Sequence, residues 1–388
     1  MTMFFSSPFL ILVLVCFEGS CLSLLLLSTV IIVLIIVTME APAGPFSLSN
    51  FLIQALRYIV FLFFITNSLL LFFITFEISM LPVRLLILFF GYQPEKLNAV
   101  VFLMGYTVVC SLPLFYFCLS CSSLLGISLS CIGHFSGLLL TSAFIAKLPM
   151  YSLHLWLPKA HVEASLAGSI LLAGVILKLG GYGILVFSPS LVSIPRLYVF
   201  FTLSGCLVCS VICFRSWDMK SLVAYSSIVH IGVVTLGALS QSQLGYWSAC
   251  GIIIGHSLVS PLMFVSANVL YLSTGTRSFV TGASSCIPTS FFFFVSILCG
   301  LNSGLPPFFN FWVEVAYFYN TLSLFSFSLI PLFLTAFFSF LYSILFYVRS
   351  CSGPPSLFLA FNFNVWTPVL SVVLLFLLPL SSSFVGHN

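Results

Sequence analysis

Apolar segments long enough to cross a bilayer follow one another along nearly the whole sequence. Of the 388 residues, 61% are hydrophobic and only 5% are charged, and the mean hydropathy is +1.27. A membrane-spanning helix needs about 20 apolar residues, whereas the polar connections in this chain are too short to form a domain. These features exclude a water-soluble globular protein and predict an all-α polytopic membrane protein.

The apolar segments predict about 12 transmembrane helices. The apolar run Leu22–Val37 has no basic segment before it and no small-residue cleavage site after it, so we expect a retained membrane span and not a signal peptide. The boundary between the second and third spans, near 66–68, is the least sharply marked. The predicted spans are 8–37, 51–68, 70–90, 98–119, 135–155, 165–187, 196–214, 220–240, 245–271, 289–319, 328–348 and 364–383.

Basic residues in the connections predict the orientation in the membrane. If the 12 helices alternate in direction, almost all basic residues outside the membrane fall on one face, and Arg196 alone falls on the other. The positive-inside rule places the basic face on the matrix or cytoplasmic side, with both termini opposite. The residues on the basic face are Arg57, Lys96, Lys159, Arg215, Lys220, Arg277 and Arg349.

Two apolar segments are interrupted by helix-breaking residues. Residues 143–161 contain Pro149 and Pro158, and residues 296–318 contain Asn302, Gly304, Pro306 and Pro307. One interrupted segment in each half of a membrane chain indicates an inverted-repeat transporter whose site lies at mid-membrane. A simple proline kink is the alternative interpretation.

Six titratable side chains lie inside predicted spans, on six different helices. A buried lysine costs about 2.5–3.5 kcal/mol at mid-membrane, and desolvation disfavours the charged form, so such groups could exchange protons near neutral pH. A carboxylate that faces a lysine would titrate with it as a pair. We therefore predict a lateral path for protons or other cations. The six residues are Glu77, Lys147, Lys178, His230, His256 and Glu314.

Each of these residues also has a structural interpretation. The two lysines could extend to the headgroup layer, and the two histidines could be neutral packing residues. Glu77 could form an ion pair, although Arg84 lies two turns away on the same face, too far for contact in a straight helix. Glu314 could likewise be purely structural.

Four further charged residues are expected at helix ends or in loops. Asp218 is placed to cap the helix that starts near Met219. Lys159 and Glu163 have the i, i+4 spacing of a surface pair, and we expect Lys220 to be solvated as well.

Several other chemistries lack the necessary residues. The chain has no GxxxxGK[ST] or GxGxxG motif for nucleotides, no Ser/His/Asp set, no His pair suited to haem, and no basic run for nucleic acid. The 13 cysteines lie among Leu, Val and Phe, so we interpret Cys118/Cys121 and Cys206/Cys209/Cys213 as packing residues and not as a metal or cluster site. Gly251 and Gly255 form a GxxxG pattern typical of close helix packing.

The segments KLPMYSLHLWLPKAHVEA, LKLGGYG, DMKSLVAYSSIVHIG, FEISMLP and the later GLPP with its downstream Glu carry a family resemblance. Over about Phe76–Tyr347 the chain resembles the antiporter-like, proton-translocating subunits of respiratory NADH–ubiquinone oxidoreductase (complex I). Their relatives occur in multisubunit cation/proton antiporters and membrane-bound hydrogenases.

The resemblance implies two inverted five-helix repeats, each with a broken helix. We expect an N-terminal span in 1–50, the first repeat in 51–187, the second in 196–348 and a C-terminal helix in 349–388. The family usually has 14 helices, so helices before Phe51 are expected to be missing or merged. The resemblance also implies roles for the six residues: Glu77 and Lys147 as the proton-input pair, Lys178 as a connecting lysine, His230 and His256 as a central axis, and Glu314 as the output site.

The resemblance implies no cofactor in this chain, with NAD, FMN, iron–sulfur clusters and ubiquinone held by partner subunits. Its partners are expected to be other membrane-arm subunits, including paralogous antiporter-like ones, together with lipids. The last titratable residue of the implied path, Glu314, is a glutamate and not a lysine, which favours one class among the paralogous subunits. The short, weakly charged chain favours the mitochondrial inner membrane over a bacterial plasma membrane. The alternative is a subunit of a stand-alone multisubunit cation/proton antiporter, and a purely structural scaffold would leave the six buried groups unexplained.

Overall fold

A computed structural model describes most of the chain. It covers residue 33 and residues 47–91, 94–120, 134–148, 150–151, 153–188, 196–279, 289–306 and 308–351. The predicted first and last spans, 8–37 and 364–383, lie outside the described residues, as do Pro149, Pro307 and Cys121. The expected number of 12 helices therefore extends beyond the part that the structure describes.

The described residues are helical, which confirms the all-α prediction. One isolated bridge joins two described residues, Asp218 and Ser278. The helices are α1 (Leu48–Ile65), α2 (Leu69–Ile78), α3 (Met80–Phe90), α4 (Lys96–Ser120), α5 (His134–Lys147), α6 (Trp156–Glu163), α7 (Leu166–Leu171), α8 (Leu177–Phe187), α9 (Arg196–Arg215), α10 (Met219–Leu239), α11 (Gln243–Thr274), α12 (Thr289–Asn302), α13 (Phe309–Leu324) and α14 (Leu329–Cys351).

Eight helical segments in the described residues are long and apolar enough to cross a membrane. Two of them combine helices that are separated only by a turn or a π-helical stretch: Leu69–Phe90 joins α2 to α3, and Leu166–Phe187 joins α7 to α8. The boundary that the sequence marked least sharply is present, because α1 ends at Ile65 and α2 begins at Leu69.

The chain divides into two compact units. The first comprises Met1–Leu148 and Glu163–Ser193, and the second comprises Pro149–Val162 and Ile194–Asn388. Each unit has its own buried core and its own group of titratable side chains.

Both predicted interruptions are real breaks in helices. In the first segment α5 ends at Lys147, and helix resumes only at Trp156. In the second segment α12 ends at Asn302 and α13 begins at Phe309. Freed backbone groups at such breaks are tolerated in a membrane only against protein or water, and one side chain repairs the second break directly. Asn310 Nδ2 donates to the Leu301 carbonyl over 2.7 Å.

The GxxxG pattern on α11 packs closely, as predicted. A Cβ at Gly251 would lie 2.7 Å from Val313, and one at Gly255 would overlap the amide oxygen of Asn310. Both partners belong to α13, so the two glycines form a groove that receives this helix. This groove brings the helix of Glu314 against the helix of His256.

Two arginines join connections of the second unit that the sequence predicted on one membrane face. The Arg349 guanidinium donates to the Ser216 carbonyl over 2.8 Å and lies 4.7 Å from the Trp217 ring centre. Arg277 Nη1 donates to the Val162 carbonyl over 3.2 Å, and the Met219 amide donates to the Arg277 carbonyl. These contacts agree with the predicted alternation of the helices.

Candidate functional site

Lys147 and Glu77 form a buried pair in the first unit. Lys147 Nζ lies 3.6 Å from Glu77 Oε1, with 1% of the lysine side chain and 21% of the glutamate side chain exposed. The same Nζ donates to the Phe76 carbonyl over 2.5 Å and lies 3.1 Å from the centre of the Phe76 ring. The lysine is therefore held by a carboxylate, a carbonyl and an aromatic face. The interpretation that Lys147 extends to the headgroup layer is wrong.

The Phe76 carbonyl also accepts a second side-chain donor. Ser79, the residue between α2 and α3, donates its hydroxyl to this carbonyl over 2.7 Å. The motif FEISMLP thus places the Glu77 carboxylate beside a carbonyl that accepts both Lys147 Nζ and Ser79 Oγ.

Aromatic rings and small residues surround the pair. The rings of Phe76 and Phe144 meet edge to face at 5.1 Å. A Cβ at Gly183 would overlap Phe144, and one at Gly180 would lie 3.3 Å from Lys147 Cβ. The glycines of LKLGGYG therefore let α8 pack directly on α5, in surroundings of low polarity that strengthen charge interactions.

Lys178 lies just after a π-helical stretch, Leu172–Ile176. The Leu177 amide donates back five residues to the Leu172 carbonyl, so the hydrogen-bond ladder shifts at this point. Lys178 Nζ donates to the Ala173 carbonyl over 2.7 Å, and 3% of the residue is exposed. Lys178 is therefore held inside the unit and does not extend to a headgroup layer.

Three predicted residues meet in the second unit. His230 Nδ1 lies 3.8 Å from Glu314 Oε1, and the rings of His230 and His256 are centred 5.3 Å apart. They come from α10, α11 and α13. The six predicted residues do occupy six different helices, and the structure groups them as a pair, a single lysine and a triad.

Glu314 lies against the backbone of the second break. A Cβ at Gly304 would overlap Glu314 Oε2, and Gly304 has φ +63°. A glycine is required there both because L side chains disfavour this backbone conformation and because the carboxylate fills the space of a side chain.

The sequence interpretation did not identify two buried tyrosines, one on α13 and one on α14. The hydroxyls of Tyr317 and Tyr342 are buried without a hydrogen-bond partner in the described residues. Tyr342 lies within electrostatic range of Glu314. Tyr317 packs in an apolar cluster with Val199, Leu203, Leu236 and Leu332.

The structure corrects two of the four residues expected to be solvated. Asp218 and Lys159 are exposed, whereas Glu163 and Lys220 are buried, with 6% and 8% exposed. The expected surface location of Glu163 and Lys220 is therefore wrong. Asp218 occupies the N-cap position of α10, but its side chain makes no capping hydrogen bond.

Two further buried histidines follow the first break. The His154 ring stacks on Tyr151 at 5.2 Å, and the His161 ring stacks on Phe264 at 4.4 Å. The sequence set this pair aside only as haem ligands. Their burial, at 7% and 0% exposed, makes them additional polar groups of the interrupted segment.

The described cysteines support the packing interpretation. Cys206 Sγ donates to the Val229 carbonyl and Cys213 Sγ to the Leu222 carbonyl, both from α9 to α10. Across the described residues, no group of three or more His, Cys, Asp and Glu side chains has a metal-binding arrangement.

A family model described as "NADH:quinone oxidoreductase/Mrp antiporter, TM" matches residues 66–340. The match includes both interruptions and all six predicted residues. The chain belongs to this family.

Similar proteins from several animals carry the name NADH-ubiquinone oxidoreductase chain 4. The protein of Ceratitis capitata is 38% identical over 347 residues, which cover 85% of this chain and 77% of the relative. That of Albinaria caerulea is 36% identical over 310 residues, 73% of this chain and 69% of the relative. That of Artemia franciscana is 39% identical over 292 residues, 72% and 74% of the two chains.

Two solved structures have the same fold at low sequence identity. A chain of respiratory complex I from Thermus thermophilus with bound NADH aligns with a TM-score of 0.76 at 21% identity. The alignment covers 92% of the present chain and 80% of the Thermus chain. A chain of the Mrp complex from Dietzia sp. DQ12-45-1b aligns with a TM-score of 0.72 at 16% identity, covering 86% and 66%.

Proposed function

We propose that this chain is the proton-translocating membrane subunit of the chain 4 class in respiratory NADH:ubiquinone oxidoreductase. Relatives with that name align over most of this chain at 36–39% identity. Within the mitochondrial inner membrane, the chain would move protons while partner subunits reduce ubiquinone. It is thus part of an NADH:ubiquinone reductase, although it makes and breaks no substrate bonds itself.

The observation that carries the proton-transfer role is the Lys147–Glu77 pair. Its ammonium and carboxylate are 3.6 Å apart beside the end of an interrupted helix. Lysine can release its proton where arginine cannot, and a carboxylate at this distance can hold the proton or the opposite charge. The pair can therefore exist as carboxylate with ammonium or as carboxylic acid with amine, both with a net charge of zero, so a proton can pass between the two groups.

The other groups extend the path in our proposal. Glu77 and Lys147 receive protons, Lys178 connects, His230 and His256 form the central axis, and Glu314 delivers protons at the second break. The 5.3 Å spacing of the two imidazoles supports transfer through an intervening water, and the 3.8 Å His230–Glu314 approach supports transfer to the carboxylate.

The arrangement of two breaks and two groups of titratable residues supports an organisation in two inverted five-helix repeats. We assign residues 51–187 to the first repeat and 196–348 to the second, flanked by an N-terminal span in 1–50 and a C-terminal helix in 349–388. In transporters built this way the site lies where broken helices expose backbone at mid-membrane, and here Lys147 lies at the end of the first broken helix and Gly304 lies in the second break.

The redox chemistry would belong to partner subunits that hold NAD, FMN, iron–sulfur clusters and ubiquinone. The contribution of this chain is to hold and move protons at the Lys147 ammonium, the His230 and His256 imidazoles and the Glu77 and Glu314 carboxylates. Its partners would be the other membrane-arm subunits, including paralogous antiporter-like ones, and lipids.

Native gel electrophoresis of solubilised inner membranes tests the assignment. The chain should migrate with a large complex that oxidises NADH in the gel, identified by mass spectrometry of this sequence in the active band. Migration in a smaller complex without NADH oxidation, combined with sodium-dependent proton exchange in vesicles, would instead establish a stand-alone cation/proton antiporter.

A further inference from the structure

Arg84 is a buried charge of the first unit that the proposed proton path does not use. It lies on α3 with 7% of the residue exposed, and its Nη2 donates to Thr107 Oγ1 on α4 over 2.9 Å. Thr107 in turn donates to the Leu103 carbonyl over 2.8 Å. Arg84 Nε is buried without a hydrogen-bond partner in the described residues. A single neutral hydroxyl leaves most of this guanidinium charge uncompensated.

Arg84 lies on the same helical face as Glu77. Ser79, between α2 and α3, keeps right-handed helical dihedrals (φ −56°, ψ −25°), so residue 84 follows residue 77 by two helical turns. Arg84 interacts electrostatically with both Glu77 and Lys147. The ion pair within 4 Å joins Glu77 to Lys147 and does not include Arg84. The arginine therefore acts on the pair through its field and not through a bond.

The other charged groups among the described residues of the first unit are few. They are Arg57 on α1, Glu95 and Lys96 at the start of α4, Glu163 at the end of α6 and Lys178 on α8. Lys178 donates to the Ala173 carbonyl and Lys96 to the Gly91 carbonyl. In the described part of the chain, Lys147 interacts electrostatically with the charges of Glu77 and Arg84.

The charge count decides what Arg84 does. An isolated Glu77–Lys147 pair is neutral as carboxylate and ammonium, and in surroundings of low polarity such a pair would hold its proton firmly. Arginine keeps its proton throughout, so the three groups together carry one positive charge with Lys147 protonated and none after Lys147 releases its proton. We infer that Arg84 is a positioning residue whose fixed charge lets Lys147 release its proton while Glu77 stays ionised.

This inference rests on the proposed proton-transfer role of Lys147. A purely structural Arg84, tying α3 to α4 through Thr107, is the competing interpretation, and the two can be separated because the charge and the hydrogen bond can be removed independently. Arg84→Gln removes the charge and keeps a donor for Thr107. Thr107→Val removes the acceptor and keeps the charge, and Arg84→Lys keeps a positive charge without the guanidinium.

The test is the pH dependence of NADH-driven proton pumping in membrane vesicles, normalised to assembled complex on native gels. In Arg84→Gln we expect the pumping profile to move to higher pH by about one unit, because a charge at this range changes proton affinity by that order. Arg84→Lys and Thr107→Val should keep the original profile. An unchanged profile in Arg84→Gln, or an equal shift in Thr107→Val, overturns the inference. If Arg84→Gln assembles poorly, the Arg84→Lys and Thr107→Val profiles still decide, since a shift in either contradicts the charge mechanism.

Lys147→Ala in the same assay separates this inference from the function on which it rests. Normal pumping in Lys147→Ala would contradict the proton-transfer role itself. Lost pumping in Lys147→Ala together with an unchanged profile in Arg84→Gln would contradict the role of Arg84 alone.

Discussion

The carboxylate of Glu314 occupies the space that a side chain at Gly304 would need. The two residues belong to the same interrupted segment, one in the break and one on the following helix, α13. The break is therefore shaped to bring backbone and carboxylate together, which couples the geometry of the interruption to the group that we propose as the output site.

Gly304→Ala should impair proton pumping more than assembly. The left-handed backbone would cost about 1–2 kcal/mol with an alanine, and the new methyl would push Glu314 away from its position. Gly275→Ala is the matched control, because Gly275 also has positive φ, at +71°, but its Cβ would meet nothing within 4 Å. We expect similar assembly of the two variants on native gels and a pumping defect in Gly304→Ala alone. Equal pumping by the two variants would contradict the coupling.

His230 and Glu314 should act as one unit. Because their side chains approach to 3.8 Å, removing either one should stop the same transfer step, and removing both should add little. We expect His230→Gln, Glu314→Gln and the double variant to lower pumping to a similar level, measured at equal amounts of assembled complex. Glu95→Gln, at an exposed carboxylate, serves as the control and should pump normally. Independent, multiplying losses in the double variant would show that the two residues serve separate steps.

The connections joined by Arg277 and Arg349 should lie on the matrix side. The Arg277 side chain binds the helix that contains Lys159, and backbone hydrogen bonds join the connections at Asp218 and Ser278, so one membrane face must contain all of them. Protease treatment should cleave at the exposed Lys159 only when the matrix face is accessible, as in inverted vesicles. Cleavage there in intact mitoplasts would overturn the predicted orientation.

The three cysteines of α9 should be replaceable. Cys206 and Cys213 donate to carbonyls of α10, so Ala substitutions should each cost about 1 kcal/mol or less without affecting electron transfer. The triple variant with Cys209→Ala should pump normally at equal assembly, as judged by native gel and vesicle acidification. Iron bound in stoichiometric amount in the original protein and lost in the triple variant would contradict the packing interpretation.

Much of this arrangement was predictable from the sequence because a charge in an apolar run is conspicuous. The two breaks followed from Pro and Gly inside spanning segments, and the six titratable residues followed from their depth.

Residues whose significance comes from packing could not be found in this way. Glu163 and Lys220 were expected to be solvated at helix ends or in loops, and they are nevertheless buried. Arg84 was visible as a charge, but its partner Thr107 comes from the next helix. The buried hydroxyls of Tyr317 and Tyr342 likewise come from two different helices, α13 and α14.

The central claim is that Lys147 releases and regains a proton, and Lys147→Arg tests it most directly. Arginine keeps the positive charge beside Glu77 and so preserves a structural ion pair, but it does not release its proton. NADH-driven acidification should be measured in vesicles at equal amounts of assembled complex, with Lys147→Ala and Glu77→Gln for comparison. We predict that Lys147→Arg assembles fully and pumps as poorly as Lys147→Ala. Full assembly with normal pumping in Lys147→Arg would contradict the account.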